Sequence, residues 1–258
     1  MDIYGTCISS TTDEHGPIYV YQTRSSRILS FDRKICQSSM KLNDINGLAL
    51  GYTQAMMAGL FFIPIVKTAT IMGLGAGSMA KNLLSSFSGL NVHAVEYRVA
   101  VANIAKEFFY LPATDRFCIH IDDAVNHIKN TATKSDIIFS DLYNAEGMEL
   151  KQVFSSYLRD CKNALNEQGV LVINFWHARL QTRQKLDAAL ALEFEDRLLS
   201  FKVDSGNTII LAFKNDIPSM NRKELLTKAK WLQEEMNLPM EIYAQFLWTT
   251  QQNKFGLN

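Results

Sequence analysis

The stretch Thr68-Ala-Thr-Ile-Met-Gly-Leu-Gly-Ala-Gly-Ser-Met79 decides how this chain is read. A β-prone run enters a turn with glycines at 73, 75 and 77, and a helical pattern follows. Glycine accepts positive φ and lets the backbone come close to a ligand. The first N–H groups of the helix behind it have no intrahelical partner and point to the same place. The next strand pattern, His93-Ala-Val-Glu96, ends on a carboxylate about 20 residues further on, where an acid can hold both hydroxyls of a ribose. These features predict a nucleoside site containing Gly73, Gly75, Gly77 and Glu96, against the alternative of a turn that only packs helix on sheet. Ser78, Met79 and Ala80 follow Gly77, so the last glycine of the dinucleotide motif Gly-x-Gly-x-x-Gly is missing. The spacing suits a nucleoside bearing a sulfonium better than a dinucleotide.

Outward from this loop, strands are predicted at 68–73, 91–96, 116–121, 135–140 and 169–175. Helices are predicted at 77–87, 98–109, 123–130, 149–166 and 179–190. Strands alternating with helices imply a parallel sheet covered on both faces. Residues 193–203 and 208–214 are β-rich and joined by Asp204-Ser-Gly-Asn207, a hairpin signal. A parallel sheet closed by such a hairpin gives a seven-stranded α/β fold of the class I methyltransferase, Rossmann-like type. Residues 220–252 read as helical with a break at Leu238-Pro239. Upstream, residues 1–17 read as loose and polar, 18–23 and 27–31 as a β-hairpin, and 35–38 as a further short strand. The division expected is an N-terminal β-hairpin domain over 1–48 and a nucleoside-binding catalytic domain over 49–258.

The chain has 258 residues, with 26 basic and 26 acidic side chains and a formal net charge of zero. That balance gives no sign of nucleic acid or an anionic membrane as partner. Cys7, Cys36, Cys118 and Cys161 are scattered without Cys-x-x-Cys spacing and read as reduced thiols, not metal ligands. The first residues lack the pattern of a signal peptide. Residues 46–66 carry no charge and are largely apolar, but they include Tyr52, Thr53, Gln54 and Pro64 and read as a buried helix over 50–62. A soluble, cytoplasmic protein is expected.

Ligands of open α/β sheets sit beyond the carboxyl ends of the strands. The ends here carry the glycines, Glu96, Asp122 and Asp123, and Asp141. Asp122 reads as the N-cap of the next helix or a ligand contact, and Asp123 as a reader of an adenine amino group. Asp141 ends the apolar run Ser135-Asp-Ile-Ile-Phe-Ser140, where nothing structural requires an acid. Tyr143 and Asn144 should face the same cleft. His93, His120, His127 and His177 fall on different elements and suggest no ligand set, so no metal is expected. The pair Asp115-Arg116 reads as a solvated or locally paired loop. No Ser or Cys nucleophile with a partner base can be assembled from these spacings.

Over roughly residues 17–215 the chain resembles the spermidine synthase (polyamine aminopropyltransferase) family. Ile71-Met-Gly-Leu-Gly-Ala-Gly-Ser78 matches its Gly-Gly-Gly-Asp-Gly loop, and Val95-Glu96 its ribose-binding acid. Asp115-Arg116 followed by Ile121-Asp-Asp-Ala124 matches its adenine-contacting segment, and Asp141 the catalytic first Asp of its Asp-x-x-Asp-Pro motif. Gln37, Tyr52 and Thr53, with the leading hairpins, look like its small N-terminal β-domain. The resemblance implies decarboxylated S-adenosylmethionine, or the intact sulfonium, as co-substrate. It implies an amine acceptor, a homodimer with the hairpins and the 47–62 segment near the interface, and no metal.

Departures accompany the matches. Ala76 stands where the family loop has an Asp for the aminopropyl amine, Asn144-Ala145 where the motif has Asp-Pro, and Thr53 where a His commonly follows the Tyr. A diamine is a dication near neutral pH and calls for carboxylates, which Glu146 and Glu149 could supply. Two alternatives stay open: an S-adenosylmethionine-dependent methyltransferase of the same fold, and a nucleoside-binding protein with weakened catalysis. Against the first, Ile71 stands where methyltransferases often have an acid.

Overall fold

The computed structural model describes residues 5–144, 147–176, 180–251 and 254. The sequence begins a small antiparallel sheet with β1 (Thr6–Asp13), β2 (Gly16–Gln22), β3 (Ser26–Ser30) and β4 (Ser38–Lys41), in that spatial order. The reading of residues 1–17 as loose is therefore wrong for β1. Its polar residues pair along β2 from Thr6 opposite Gln22 to Asp13 opposite Gly16, a tertiary pairing that its own side chains do not announce. The strand expected at 35–38 starts at Ser38 instead. Asp32 Oδ1 accepts the backbone N–H groups of Lys34 and Ile35, which ties those residues into a turn.

The apolar segment forms a short helix α1 (Gly51–Met56) that tightens into a 3₁₀ turn at Met57–Phe62. Every residue of that turn is buried. Gly59 lies so close to the sheet that a Cβ there would be 2.6 Å from Val172 Cγ2. The turn thus buries its apolar side chains against the large sheet. No helix among the described residues is long and apolar enough to cross a membrane.

The alternating part then runs β5 (Thr68–Met72), α2 (Ser78–Ser86), β6 (Asn91–Glu96), α3 (Val99–Phe108), β7 (Phe117–Ile121), α4 (Ala124–Asn130) and β8 (Ser135–Ser140). A two-residue ladder of β9 (Tyr143–Asn144) and β10 (Gly147–Met148) follows, then α5 (Ser155–Ala164) and β11 (Leu165–Trp176). The chain ends with α6 (Leu180–Phe194), β12 (Leu198–Lys202), β13 (Asn207–Phe213), α7 (Arg222–Met236) and α8 (Met240–Gln251). The seven-stranded sheet has the order β12-β13-β11-β8-β5-β6-β7. β13 is antiparallel to both β11 and β12, and the other pairings are parallel. This is the mixed sheet that the strand–helix alternation and the Asp-Ser-Gly-Asn turn predict.

Two of the boundaries that differ and one pairing bear on the site. The helix expected over 149–166 is broken at Phe154, whose backbone is extended between a 3₁₀ turn (Leu150–Val153) and α5. The β-rich reading from Glu193 starts too early: α6 continues to Phe194 and ends where Glu195 takes a left-handed φ of 58°. Arg116 does not pair with Asp115. Its guanidinium instead donates to the carbonyls of Leu84, Phe87 and Leu90 at the end of α2.

One face of the sheet is packed by α1, α2, α7 and α8, and the other by α4, α5 and α6. A third apolar cluster joins the small sheet to the large one through Ile18, Val20, Leu29, Phe31 and Met40 against Ala76, Val101, Ile104 and Phe109. Lys81 of α2 is buried at that seam with 1% of its surface exposed. Its ammonium donates to the Phe109 carbonyl at 2.7 Å and lies 2.9 Å from Met40 Sδ, and burial pulls its pKa down to about 8.

The histidines are not scattered in space. The parallel pairing of β6 and β7 sets His93 opposite Cys118, and His120 comes within 3.1 Å of His93, ring nitrogen to ring nitrogen. His120 stacks on His93, and His127 of α4 packs against His120 with its ring tilted. His177 lies outside the described residues, as do Ala145 and Glu146.

Candidate active site

Where the strands of the large sheet end toward the small one, a cavity of about 510 Å³ opens. Gln37, Tyr52, Gly73, Gly75, Glu96, Asp122, Asp123, Asp141, Tyr143 and Asn144 all line it, so the polar strand ends do converge. Tyr52 reaches it from α1 and not from the small sheet. Gly77 does not line it. Gly77 is the N-cap of α2 with φ 71°, and its N–H closes the loop onto Leu74 O at 2.9 Å.

The loop requires glycine most plainly at Gly73. With φ 96°, a Cβ there would meet the Asp141 carbonyl oxygen at 2.4 Å, so β5 and β8 could not end side by side with a larger residue. This close approach brings the glycine loop and Asp141 into one cleft. Glu96 binds the loop from beneath: its Oε2 accepts the Leu74 N–H at 3.3 Å and its Oε1 the Arg98 N–H at 2.9 Å. Burial raises the Glu96 pKa, and the N–H groups of Arg98, Gly75 and Leu74 pull against that rise.

The helix cap is Asp123, not Asp122. Asp123 Oδ1 accepts the N–H groups of Val125 and Asn126, and its Oδ2 meets Lys151 Nζ at 2.6 Å. Burial pulls this carboxyl up, but Lys151 and the helix N–H groups prevail and hold its pKa below the ordinary value. Asp122 instead accepts the Asp123 N–H, which leaves its carboxylate on the cleft wall. Beside Glu96, Arg98 reaches the first hairpin through a bidentate pair with Asp13 at 2.6 and 3.0 Å and a bond to Gly16 O. The small sheet is thereby fastened as one wall of the cleft.

At the other end stands Asp141. Its Oδ1 accepts Asn174 Nδ2 at 2.8 Å and its Oδ2 the Tyr52 hydroxyl at 3.3 Å. Burial drives its pKa up to about 6, against the pull of those two donors. No salt bridge reaches Asp141 among the described residues. Burial, and then the charge of Asp141, raises both tyrosines, Tyr52 and Tyr143, well above their usual range, so each keeps its proton. Tyr143 donates to the Asn174 carbonyl, and Gln37 Nε2 reaches the Asn144 carbonyl at 3.3 Å. Glu149 also lines the cleft and accepts Asn144 Nδ2.

Sequence reasoning missed Asn174, and with it Asn207, whose Nδ2 donates to Asn174 Oδ1 at 2.8 Å. The signal was present: Asn174 is the lone polar side chain in the buried run Leu171-Val-Ile-Asn-Phe-Trp176. It also missed Arg98 and Lys151. Ala76 departs from the family expectation in place as well as in identity. It does not line the cleft but sits fully buried in the apolar seam beneath the small sheet.

Residues 50–188 match the family model described as "Spermine/spermidine synthase domain". A polyamine aminopropyltransferase of Neisseria meningitidis is 30% identical over 215 residues, which cover 82% of this chain and 81% of that one. Among solved structures, a probable spermidine synthase from Corynebacterium glutamicum superposes with a TM-score of 0.75 at 18% identity, covering 93% of this chain and 94% of that one. Human methyltransferase-like protein 13 in complex with SAH gives 0.65 at 22% identity, over 74% and 94% of the two chains. The match covers the glycine loop, Glu96, Asp123 and Asp141, the residues that the fold has gathered around one cleft, and the chain belongs to the spermine/spermidine synthase family of transferases.

Proposed function

We propose that this protein transfers an aminopropyl group from decarboxylated S-adenosylmethionine to an amine acceptor, with Asp141 as general base. Family membership supports aminopropyl transfer in general. The observation that carries the specific reading is the half-buried Asp141, with a pKa of about 6 and two neutral donors, lining the same cavity as the glycine loop. In this reading Glu96 holds the ribose hydroxyls, Gly73 and Gly75 let the nucleoside lie against the loop, and Asp122 and Asp123 border the adenine. Gln37, Tyr52, Tyr143 and Asn144 line the acceptor side.

The acceptor nitrogen uses its lone pair to attack the carbon next to the sulfonium. The C–S bond breaks, its electrons return to sulfur to give methylthioadenosine, and the proton lost by the nitrogen passes to Asp141. Holding both reactants in line supplies much of the acceleration. A base poised near the operating pH supplies the proton transfer. An acid near 6 is mostly ionised at neutral pH yet basic enough to take the proton.

A second reading, methyl transfer from intact S-adenosylmethionine, is favoured by Ala76, because the loop places no acid in the cleft at that position for a donor amine. Calorimetry with decarboxylated S-adenosylmethionine, the intact compound and methylthioadenosine, joined to a transfer assay with a diamine, separates the two. Tighter binding of the decarboxylated donor and release of methylthioadenosine support the first. Release of S-adenosylhomocysteine with a methylated acceptor supports the second. We further infer a cytoplasmic homodimer organised as residues 1–48 and 49–258, in which the exposed edge strand β1 and its hairpin meet a second copy. Light scattering that gives a monomer of 29.2 kDa overturns the dimer.

A further inference from the structure

The cluster on β6 and β7 lies outside this cleft and has donor chemistry of its own. His93 and Cys118 are register partners across the two parallel strands, and His120 is two residues beyond Cys118 on β7. Side chains two apart on a strand share a face, so all three project to the side of the sheet that α4 covers. One nitrogen from each histidine and the Cys118 sulfur lie within 4.8 Å of one another, and the two nitrogens are 3.1 Å apart. Imidazole nitrogens at roughly 2.0–2.1 Å and a thiolate at roughly 2.3 Å from a tetrahedral metal stand about 3.3–3.6 Å from each other. The histidine pair, at 3.1 Å, is within a few tenths of an ångström of that spacing. Cys118 is exposed, carries one side-chain torsion and is in no disulfide, so its sulfur is free to turn toward the pair. His127 packs on the far side of His120, with ring centroids 4.6 Å apart.

We propose that His93, Cys118 and His120 form a binding site for a borderline-soft divalent metal of the zinc class at the edge of the large sheet. Two imidazoles and a thiolate select against magnesium and calcium, which take oxygen ligands. Three protein ligands leave one tetrahedral position for water. None of the three residues lines the cleft, but Asp122 begins it two residues after His120. The metal staples β6 to the edge strand β7 and fixes the chain just before the Asp122–Asp123 corner. Because the cleft residues are not its ligands, this site stands or falls apart from the transfer reaction.

Cobalt(II) added to the chelator-treated full-length protein tests the site. The expected result is a thiolate-to-cobalt charge-transfer absorption that saturates at one equivalent and is displaced by zinc. It is absent from Cys118→Ser, an exposed substitution that leaves the fold intact. In His93→Gln and His120→Gln the affinity should fall by at least the roughly 10–100-fold that loss of an outer partner costs a metal site. Zinc should also raise the unfolding temperature of the natural protein but not of Cys118→Ser. A band that persists in Cys118→Ser would place the thiolate elsewhere and overturn the assignment. So would a natural protein that shows neither band nor thermal shift at micromolar metal.

Discussion

The two ends of the cleft hold their carboxylates in different ways. At the end near the glycine loop Glu96 is bonded by backbone N–H groups, and Asp123 by helix N–H groups and an ammonium. At the end of β8 the Asp141 carboxylate has, among the described residues, the hydroxyl of Tyr52 and the amide of Asn174. Backbone donors are fixed by the fold and pull against the rise that burial gives the Glu96 pKa; in the proposed reaction that carboxylate would accept hydrogen bonds from ribose. Neutral side-chain donors at a half-buried carboxylate leave its pKa raised to about 6 and its proton exchangeable, which suits the base of the proposed reaction. In the proposed reaction the carboxylates would thus be assigned to grip or to proton transfer by what donates to them.

Removing the base is the strongest way to break the contrast. Asp141→Asn should lower transfer by two to four orders of magnitude, while calorimetry finds methylthioadenosine affinity within about twofold of the natural protein. A large loss of nucleoside affinity would mean that the two ends are not separable.

At the other end, Glu96→Ala should weaken methylthioadenosine by roughly 1.5–3 kcal/mol, the range for a hydrogen bond to a charged group. Unchanged affinity in a folded variant would remove Glu96 from ribose binding.

The pH profile sharpens the comparison. Asp141 must be ionised to act, so kcat/KM should rise with pH through an apparent pKa of about 6 and then level. Asn174→Ala removes a donor that lowers this pKa, so the acid limb should move to higher pH, by roughly one unit. A limb that stays in place would assign the titration to another group.

The smallest effect is expected at Lys151, whose side chain is 46% exposed. Lys151→Met should change stability and nucleoside affinity by no more than about 1 kcal/mol, because solvent screens the pair with Asp123. A larger loss in binding alone would make Lys151 a ligand contact.

What the sequence displayed follows from where the physics is local. The apolar runs of β6 and β8 and the glycine loop between β5 and α2 carry their own patterns, and 91–96 and 135–140 agree with the structure to the residue. Asp141 was legible because an acid ends a buried strand. β1 was not, because Cys7-Ile-Ser-Ser-Thr-Thr12 becomes a strand only through its partner β2. Asn174 broke an apolar pattern but had no visible partner until β11 brought it beside Asp141. The His93, Cys118 and His120 cluster depends on the register of two parallel strands, which no local pattern encodes. Ala76 could be aligned but not oriented, and its burial makes Ala76→Asp a charge placed in an apolar seam.

Lys81 gives the protein an alkaline side to its stability. The folded chain releases this proton at about 8 and the unfolded chain near 10.5, so between those values the unfolded chain holds more protons and stability rises with pH. A fall of that size corresponds to at most roughly 3 kcal/mol of strain carried at neutral pH, eased by the bond to Phe109. Urea midpoints should therefore climb from pH 7 to pH 9 in the natural protein and stay level in Lys81→Met. At neutral pH the seam between the two sheets carries the cost of a buried charge, and mild base removes that cost by neutralising Lys81.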